Sequence, residues 1–165
     1  MIKETRKYII GIDPDIEKSG LAVLDTKLKS FEMLTCLNFP FLIERICTYD
    51  INSVTVVVEA GWKVSTNFHV FKNHNPKTAA EIGNRTGRNH AVAILISEVL
   101  RHRGYHVIDA HPLKKCWKGR DGKISSFEFN SITGFSKRSN QEMRDSGLIA
   151  WVYAELPIFM KYRSK

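Results

Sequence analysis

The sequence contains no run approaching about 18 uninterrupted apolar residues, the length a membrane-crossing helix needs. That excludes a helical membrane span. Tandem repeats, low-complexity tracts and linkers rich in Pro, Gly or Ser are also missing, so a single domain over residues 1–165 is expected. Cysteine is scarce. Cys36, Cys47 and Cys116 are odd in number and widely spaced, which fits neither a disulfide framework nor a zinc cluster. His69, His74, His90, His102, His106 and His111 fall at spacings that match no zinc site. The opening MIKETRKYII is charged before it turns apolar and shows no cleavage-site pattern. A reducing, cytoplasmic setting without a membrane partner is the expectation.

Negative charge is in deficit as well: 17 Asp and Glu stand against 25 Lys and Arg, a formal net charge of +8. Such a balance favours a polyanionic partner, nucleic acid first among them. What is present in quantity is apolar residue, 43% of the chain, enough for a proper core.

The periods then lay out the elements. KYIIGIDP (7–14) and SGLAVLD (19–25) read as two strands of a hairpin, and a third strand is expected over 29–37. FLIERICTY (41–49) has helical spacing, and SVTVVVEAG after it reads as a buried strand. Residues 62–76 read as a loop. A long helix follows, capped by Thr78, loosened near Gly83 and Gly87 and ended at Gly104. YHVIDAHP gives a short strand and LKKCWKGRDGK an exposed basic segment, while residues 119–138 show no helical period. SNQEMRDSGLIAWVYAEL forms the last helix, with a Ser139 cap and Glu142 three residues on; KYRSK is a basic tail. This order implies an α/β fold with a mixed five-stranded sheet flanked by helices.

Chemistry enters through acids at element ends. Asp13 closes YIIGI, Glu59 closes SVTVVV, and Glu142 and Asp145 open the last helix three residues apart, hence on one face. A carboxylate ending a buried strand is costly alone, but a divalent cation turns that cost into a ligand interaction. Four oxygen donors without Cys or His suit Mg²⁺, or Mn²⁺. Beside a basic surface, such a set suits two-metal phosphodiester hydrolysis with two ions per site and no small-molecule cofactor.

These residues resemble the RuvC-type Holliday junction resolvases of the RNase H-like superfamily. IIGIDPDIEKSGLAVLD is similar to the family's opening hairpin, VVVEAGW to its second acidic strand, GRNHAVAILISEVLRHRGYHV to the helix leading to the next core strand, and NQEMRDSGLIAWV to its closing helix. The resemblance implies an RNase H-like fold, a crossover-junction endodeoxyribonuclease activity, and Asp13, Glu59, Glu142 and Asp145 as catalytic metal ligands. Trp62, three residues after the second acid, takes the place of an aromatic that probes unstacked junction bases; the bland reading is a core residue at a strand end. Lys114, Lys115 and Lys118 fall where the family sets lysines near DNA phosphates, and Arg88, Lys137 and Arg138 join them as DNA-binding candidates. A homodimer is implied, with the long helix as its interface, because two symmetric nicks need two sites.

The sequence departs from the pattern in three places. The Gly expected after Asp13-Pro14 is Asp15, with Glu17 following. No helix is evident before the closing one, which leaves a family lysine unplaced, Lys137 being its nearest substitute. Glu142 replaces the more usual Asp or His. The competing readings are a catalytically silent RNase H-like module that binds nucleic acid or a protein partner, and a nuclease for another branched DNA or an RNA–DNA hybrid. An actin-like sugar kinase also opens with a strand ending in Asp, but its glycine- and threonine-rich phosphate loop is missing.

Overall fold

In the computed structural model, which describes residues 6–64 and 75–158, strand β1 (Tyr8–Asp13) pairs antiparallel with β2 (Ser19–Asp25), and β2 with β3 (Ser30–Leu37). On the other side of β1, β4 (Val54–Glu59) and β5 (His106–Ala110) continue the sheet in parallel. The order β3-β2-β1-β4-β5 is the expected mixed five-stranded sheet. Helices α1 (Phe39–Ile46), α2 (Pro76–His102), α3 (Ser126–Thr133) and α4 (Gln141–Tyr153) flank it. No helix among the described residues is long and apolar enough to cross a membrane.

Side chains alternate between the two faces of a strand, and here both faces of the central strands are covered. Ile10, Ile12, Val56 and Val58 pack beneath Leu42 and Ile46 of α1 and Ala93, Ile96 and Leu100 of α2. Ile9, Ala22, Leu24 and Val57 meet Ile149, Ala150 and Trp151 of α4 on the opposite face. Double coverage explains why β1 and β4 read as continuous apolar runs. A third cluster, Ile124, Phe129 and Leu148, lies under α3, where Phe31 stacks on Phe129 at 5.7 Å between ring centroids.

The boundaries correct the sequence reading in several places. Helix α2 starts at Pro76, and its cap is Asn75, whose side-chain oxygen accepts from the Thr78 amide at 2.8 Å. Proline suits a first helical position because its fixed φ is already helical and it has no N–H to leave unpaired. The helix runs unbroken through Gly83 and Gly87, held by the buried half from Val92 to Leu100. Helix α4 is capped by Asn140, not Ser139, through a 2.9 Å bond from the Met143 amide. Helix α1 is shifted to Phe39–Ile46, with Asn38 as its cap and Pro40 inside its first turn. The larger difference is α3, in a stretch expected to be irregular. A capping box starts it: Ser125 Oγ accepts from the Glu128 amide, and the Glu128 carboxylate accepts from the Ser125 amide at 3.0 Å. Eight residues are two turns, too few for a helical period to stand out. The middle of the expected loop (65–74, with His69 and His74) and the KYRSK tail lie outside the described residues.

Helix α4 sits unusually close to the β1–β2 hairpin. A methyl group on Gly11 would meet the Ser146 carbonyl oxygen and, at 2.8 Å, the Ala150 amide; one on Gly20 would run into the Glu142 carbonyl. Both obstacles are backbone and cannot swing aside. Gly11→Ala is therefore expected to cost on the order of 3 kcal/mol in urea unfolding. Gly83→Ala, whose added methyl meets nothing within 4 Å on exposed α2, should stabilise by up to about 1 kcal/mol. A neutral Gly11→Ala would mean that α4 does not depend on this contact.

Candidate active site

Asp13 and Glu59 are the last residues of the parallel neighbours β1 and β4, one step beyond the Ile12–Val58 pair. Strand alternation puts them on the face of Gly11 and Val57, which is the face that α4 covers. The glycine contacts bring the first turns of α4 down onto that end of the sheet, and Asp145 arrives beside the two strand acids. Three of the four expected acids are thus brought together. Glu142, one turn earlier, is exposed, and its charge contributes least to the field at Asp13.

The electrostatics follow from this crowding. Burial pushes the Asp13 carboxyl well above the ordinary aspartate range; the negative charges of Glu59 and Asp145 push it further, against the opposing charge of Lys123. Glu59 is raised by burial and then by Asp145, while Lys123 and Lys115 pull it down. The countercharge is Lys123, whose Nζ donates to Asp145 Oδ2 at 2.7 Å. Burial alone would lower the Lys123 ammonium, but Asp145, with Asp13 and Glu59 behind it, holds its pKa above the usual value. The second Asp145 oxygen accepts from Gln141 Nε2, also at 2.7 Å.

Lys123 was not among the residues singled out from sequence; Lys137, the substitute read for the family lysine, is exposed on the loop before α4, as is Arg138. A turn delivers Lys123. The Trp117 amide donates to the Gly122 carbonyl, and Gly122 packs against Lys115, so the basic segment and the turn into α3 lie side by side. Glu128 fixes the same junction by accepting from the amides of Lys118 and Ser125. The signal for it was the Ser125–Glu128 capping-box spacing, two residues beyond the lysine.

Lys114, Lys115 and Lys118 are exposed. Trp62 lies in a short 3-10 turn (Gly61–Lys63), half-buried against the cluster beneath α1 and α2. Its ring is therefore partly committed to packing. Arg88 is exposed on α2, where it shares a shallow cleft with Arg85, Ile16 and Glu17. Asp15 has a structural task. Its carboxylate accepts from the Glu17 amide at 2.9 Å and from Asn89 Nδ2 at 3.1 Å, and Asn89 Oδ1 accepts from the Ile16 amide at 3.0 Å. These bonds fasten the β1–β2 turn to α2.

The donor set is all carboxylate, and the raised pKa values of Asp13 and Glu59 mark a deficit of positive charge beside the strand ends, both of which fit a hard divalent cation. Among the described residues, however, no three His, Cys, Asp or Glu side chains are gathered tightly enough to enclose an ion. The Lys123 ammonium occupies part of that role.

No protein-family model matches the chain, and no curated protein matches it. Solved structures do. The Thermus thermophilus RuvC in complex with Holliday junction substrate superposes with a TM-score of 0.56 at 16% identity, covering 90% of this chain and 93% of that one. A second Thermus thermophilus RuvC structure gives 0.51 at 14% identity, with 89% and 93% covered. The chain has the RuvC fold, an RNase H-like arrangement, and at these identities the likeness is one of fold.

The acid cluster has a measurable consequence in metal-free protein. Asp13 holds its proton more tightly folded than unfolded, so its contribution to stability falls as pH rises from its ordinary value of 3.8 towards the raised one. Asp13→Asn should therefore melt higher than the native protein at neutral pH without metal, the gap closing as pH falls towards 3.8. A lower Tm at neutral pH would show that the Asp13 charge is not under strain.

Proposed function

We propose that this protein is a divalent-metal-dependent endonuclease that nicks branched DNA, four-way junctions foremost, as a homodimer. The observation that carries this reading is the meeting of Asp13, Glu59 and Asp145, from three separate elements, with Lys123 and Lys115 at one end of a RuvC-like sheet. The Holliday junction substrate belongs to the Thermus neighbour; the +8 charge supports the same class of ligand here.

Asp13, Glu59 and Asp145 would hold the metal, with Glu142 joining from the rim, and two Mg²⁺ or Mn²⁺ ions per site are the expected complement. Bound there, a divalent ion supplies Lewis acidity, polarising the scissile phosphate and making water a stronger acid. Positive charge there would favour the ionised forms of Asp13 and Glu59, against the burial and mutual repulsion that raise both carboxyls. Lys115 and Lys123 offset charge at the scissile phosphate. Lys114, Lys118, Lys137, Arg138 and Arg88 are left for flanking phosphates, contacts that weaken as salt rises. The unburied part of the Trp62 ring offers a stacking surface to an unpaired base. Helix α2 supplies the twofold contact, its outer side presenting Ala91, Ile94 and Leu95 to solvent.

One observation favours a second reading, the catalytically silent module: both oxygens of Asp145 are already bonded within the chain. Cleavage separates the two. A labelled four-way junction, a flap, a linear duplex and an RNA–DNA hybrid are incubated with the protein in Mg²⁺, Mn²⁺ or EDTA. Paired, metal-dependent nicks in the junction are expected, and Asp13→Asn should slow them by about a thousandfold while junction binding persists, since a lost metal ligand removes several kcal/mol of transition-state stabilisation. Cleavage of none of the substrates, with binding intact, would favour the silent module.

A further inference from the structure

Both oxygens of Asp145 are engaged by described residues: Lys123 donates to Oδ2 and Gln141 to Oδ1, each at 2.7 Å. The same Gln141 amide also donates to the Ile124 carbonyl at 3.3 Å, and Arg144 Nε donates to that carbonyl at 3.2 Å. Arg144 is anchored in turn by its NH1 on the Ser139 carbonyl at 2.7 Å and its NH2 on Gln141 Oε1 at 2.9 Å. Two residues of α4 therefore grip the backbone next to Lys123, so the lysine's root is fixed by bonds that do not involve its ammonium.

This arrangement separates where Lys123 is held from what its charge is doing. The ion pair with Asp145 is partly exposed, with 37% of the lysine side chain and 18% of the aspartate accessible. Such a pair is individually weak and a divalent charge competes for the same oxygen with twice the field. Breaking it leaves the backbone grip intact. We propose that Lys123 is a resident counter-cation on Asp145, that a divalent cation takes the Oδ2 oxygen from it, and that Gln141 and Arg144 are positioning residues that keep the released ammonium at the rim of the site. The exchange rests on the nuclease reading in taking Asp145 as a metal ligand. It couples metal loading to the appearance of a free cation beside the position a phosphate would occupy, and it gives the metal-free cluster its countercharge.

The direct test is the rate at which Lys123 reacts with an amine-acylating reagent, followed by peptide mass spectrometry in EDTA and in Mn²⁺ or Mg²⁺, with exposed Lys114 as the internal control. Calorimetry on the same samples reports metal binding. Release from the ion pair should speed acylation of Lys123 about fivefold with no change at Lys114. Arg144→Met, which loosens the grip, should let Lys123 react faster in EDTA as well; Lys123→Met should bind Mn²⁺ more tightly than the native protein. Metal bound with Lys123 still protected overturns the exchange while leaving the metal site standing. Binding by Lys123→Met alone shows that the lysine bars the cation and does not yield to it, which overturns the exchange while leaving the carboxylates as a metal site. Binding by neither protein overturns the exchange and the metal site together.

Discussion

Everything at the acid cluster depends on how closely a helix can approach a sheet. Helix α4 lies over β1 and β2 at a separation that leaves no room for a Cβ at Gly11 or Gly20, and the atoms that would be struck are backbone. Gly20 pairs across the hairpin with Asp13, and the carbonyl above it belongs to Glu142. The contact that seats the helix is thus also the contact that delivers its first turns to the strand acid. Side chains at these two positions would hold the helix off the sheet and part Asp145 from Asp13 and Glu59, even if every acid were retained.

Closeness creates a charge problem, and the rest of the site answers it. Half-buried carboxylates at the ends of adjacent strands repel one another and resist ionisation, and the chain meets this with an ammonium from an unrelated segment. Lys123 reaches the cluster only because α3 begins where it does. Glu128 ties the start of that helix to Lys118, and the Ile124 carbonyl is bonded from α4. Helix capping, usually a matter of about 1 kcal/mol of local stability, here also decides which basic residue faces the acids.

The strand acids were legible in the sequence because apolar runs with an acid at the end need no long-range information to be recognised. Their common face was not legible, because it depends on the Ile12–Val58 register of β1 against β4 as well as on the twofold period of each strand; the alternation of strands and helices gave the mixed sheet but not its strand order. Lys123 was not legible. It lies in a polar, aperiodic stretch, and its place depends on a two-turn helix whose only local mark is the Ser125–Glu128 spacing. The caps at Asn75 and Asn140 were missed by one to three residues for a related reason: Asn and Ser or Thr cap comparably, and tertiary bonds choose between them. At Ser139, the carbonyl is taken by Arg144. Trp62 was open to two readings because burial at a strand end depends on what packs there from elsewhere in the chain; the answer is the cluster under α1 and α2, which takes up part of the ring.

The acidic turn after β1 was the part of the sequence that the resemblance explained least, and its bonding narrows the site. Asp15 directs its carboxylate to the Glu17 amide and to Asn89, with Arg85 3.9 Å away, and so turns towards α2 rather than towards Asp13. It adds no ligand to the cluster. Glu17 lines the same cleft as Arg85 and Arg88, which offsets positive charge on that stretch of α2. The acidic turn presents mixed charge, whereas Lys114, Lys115 and Lys118 form a more basic surface, with exposed Asp121 in the turn after them, and lie beside Glu59, whose carboxylate already feels Lys115. The acidic turn thus lowers the net positive charge on one side of the site, and the exposed lysines after β5 make the stronger positive field beside Glu59.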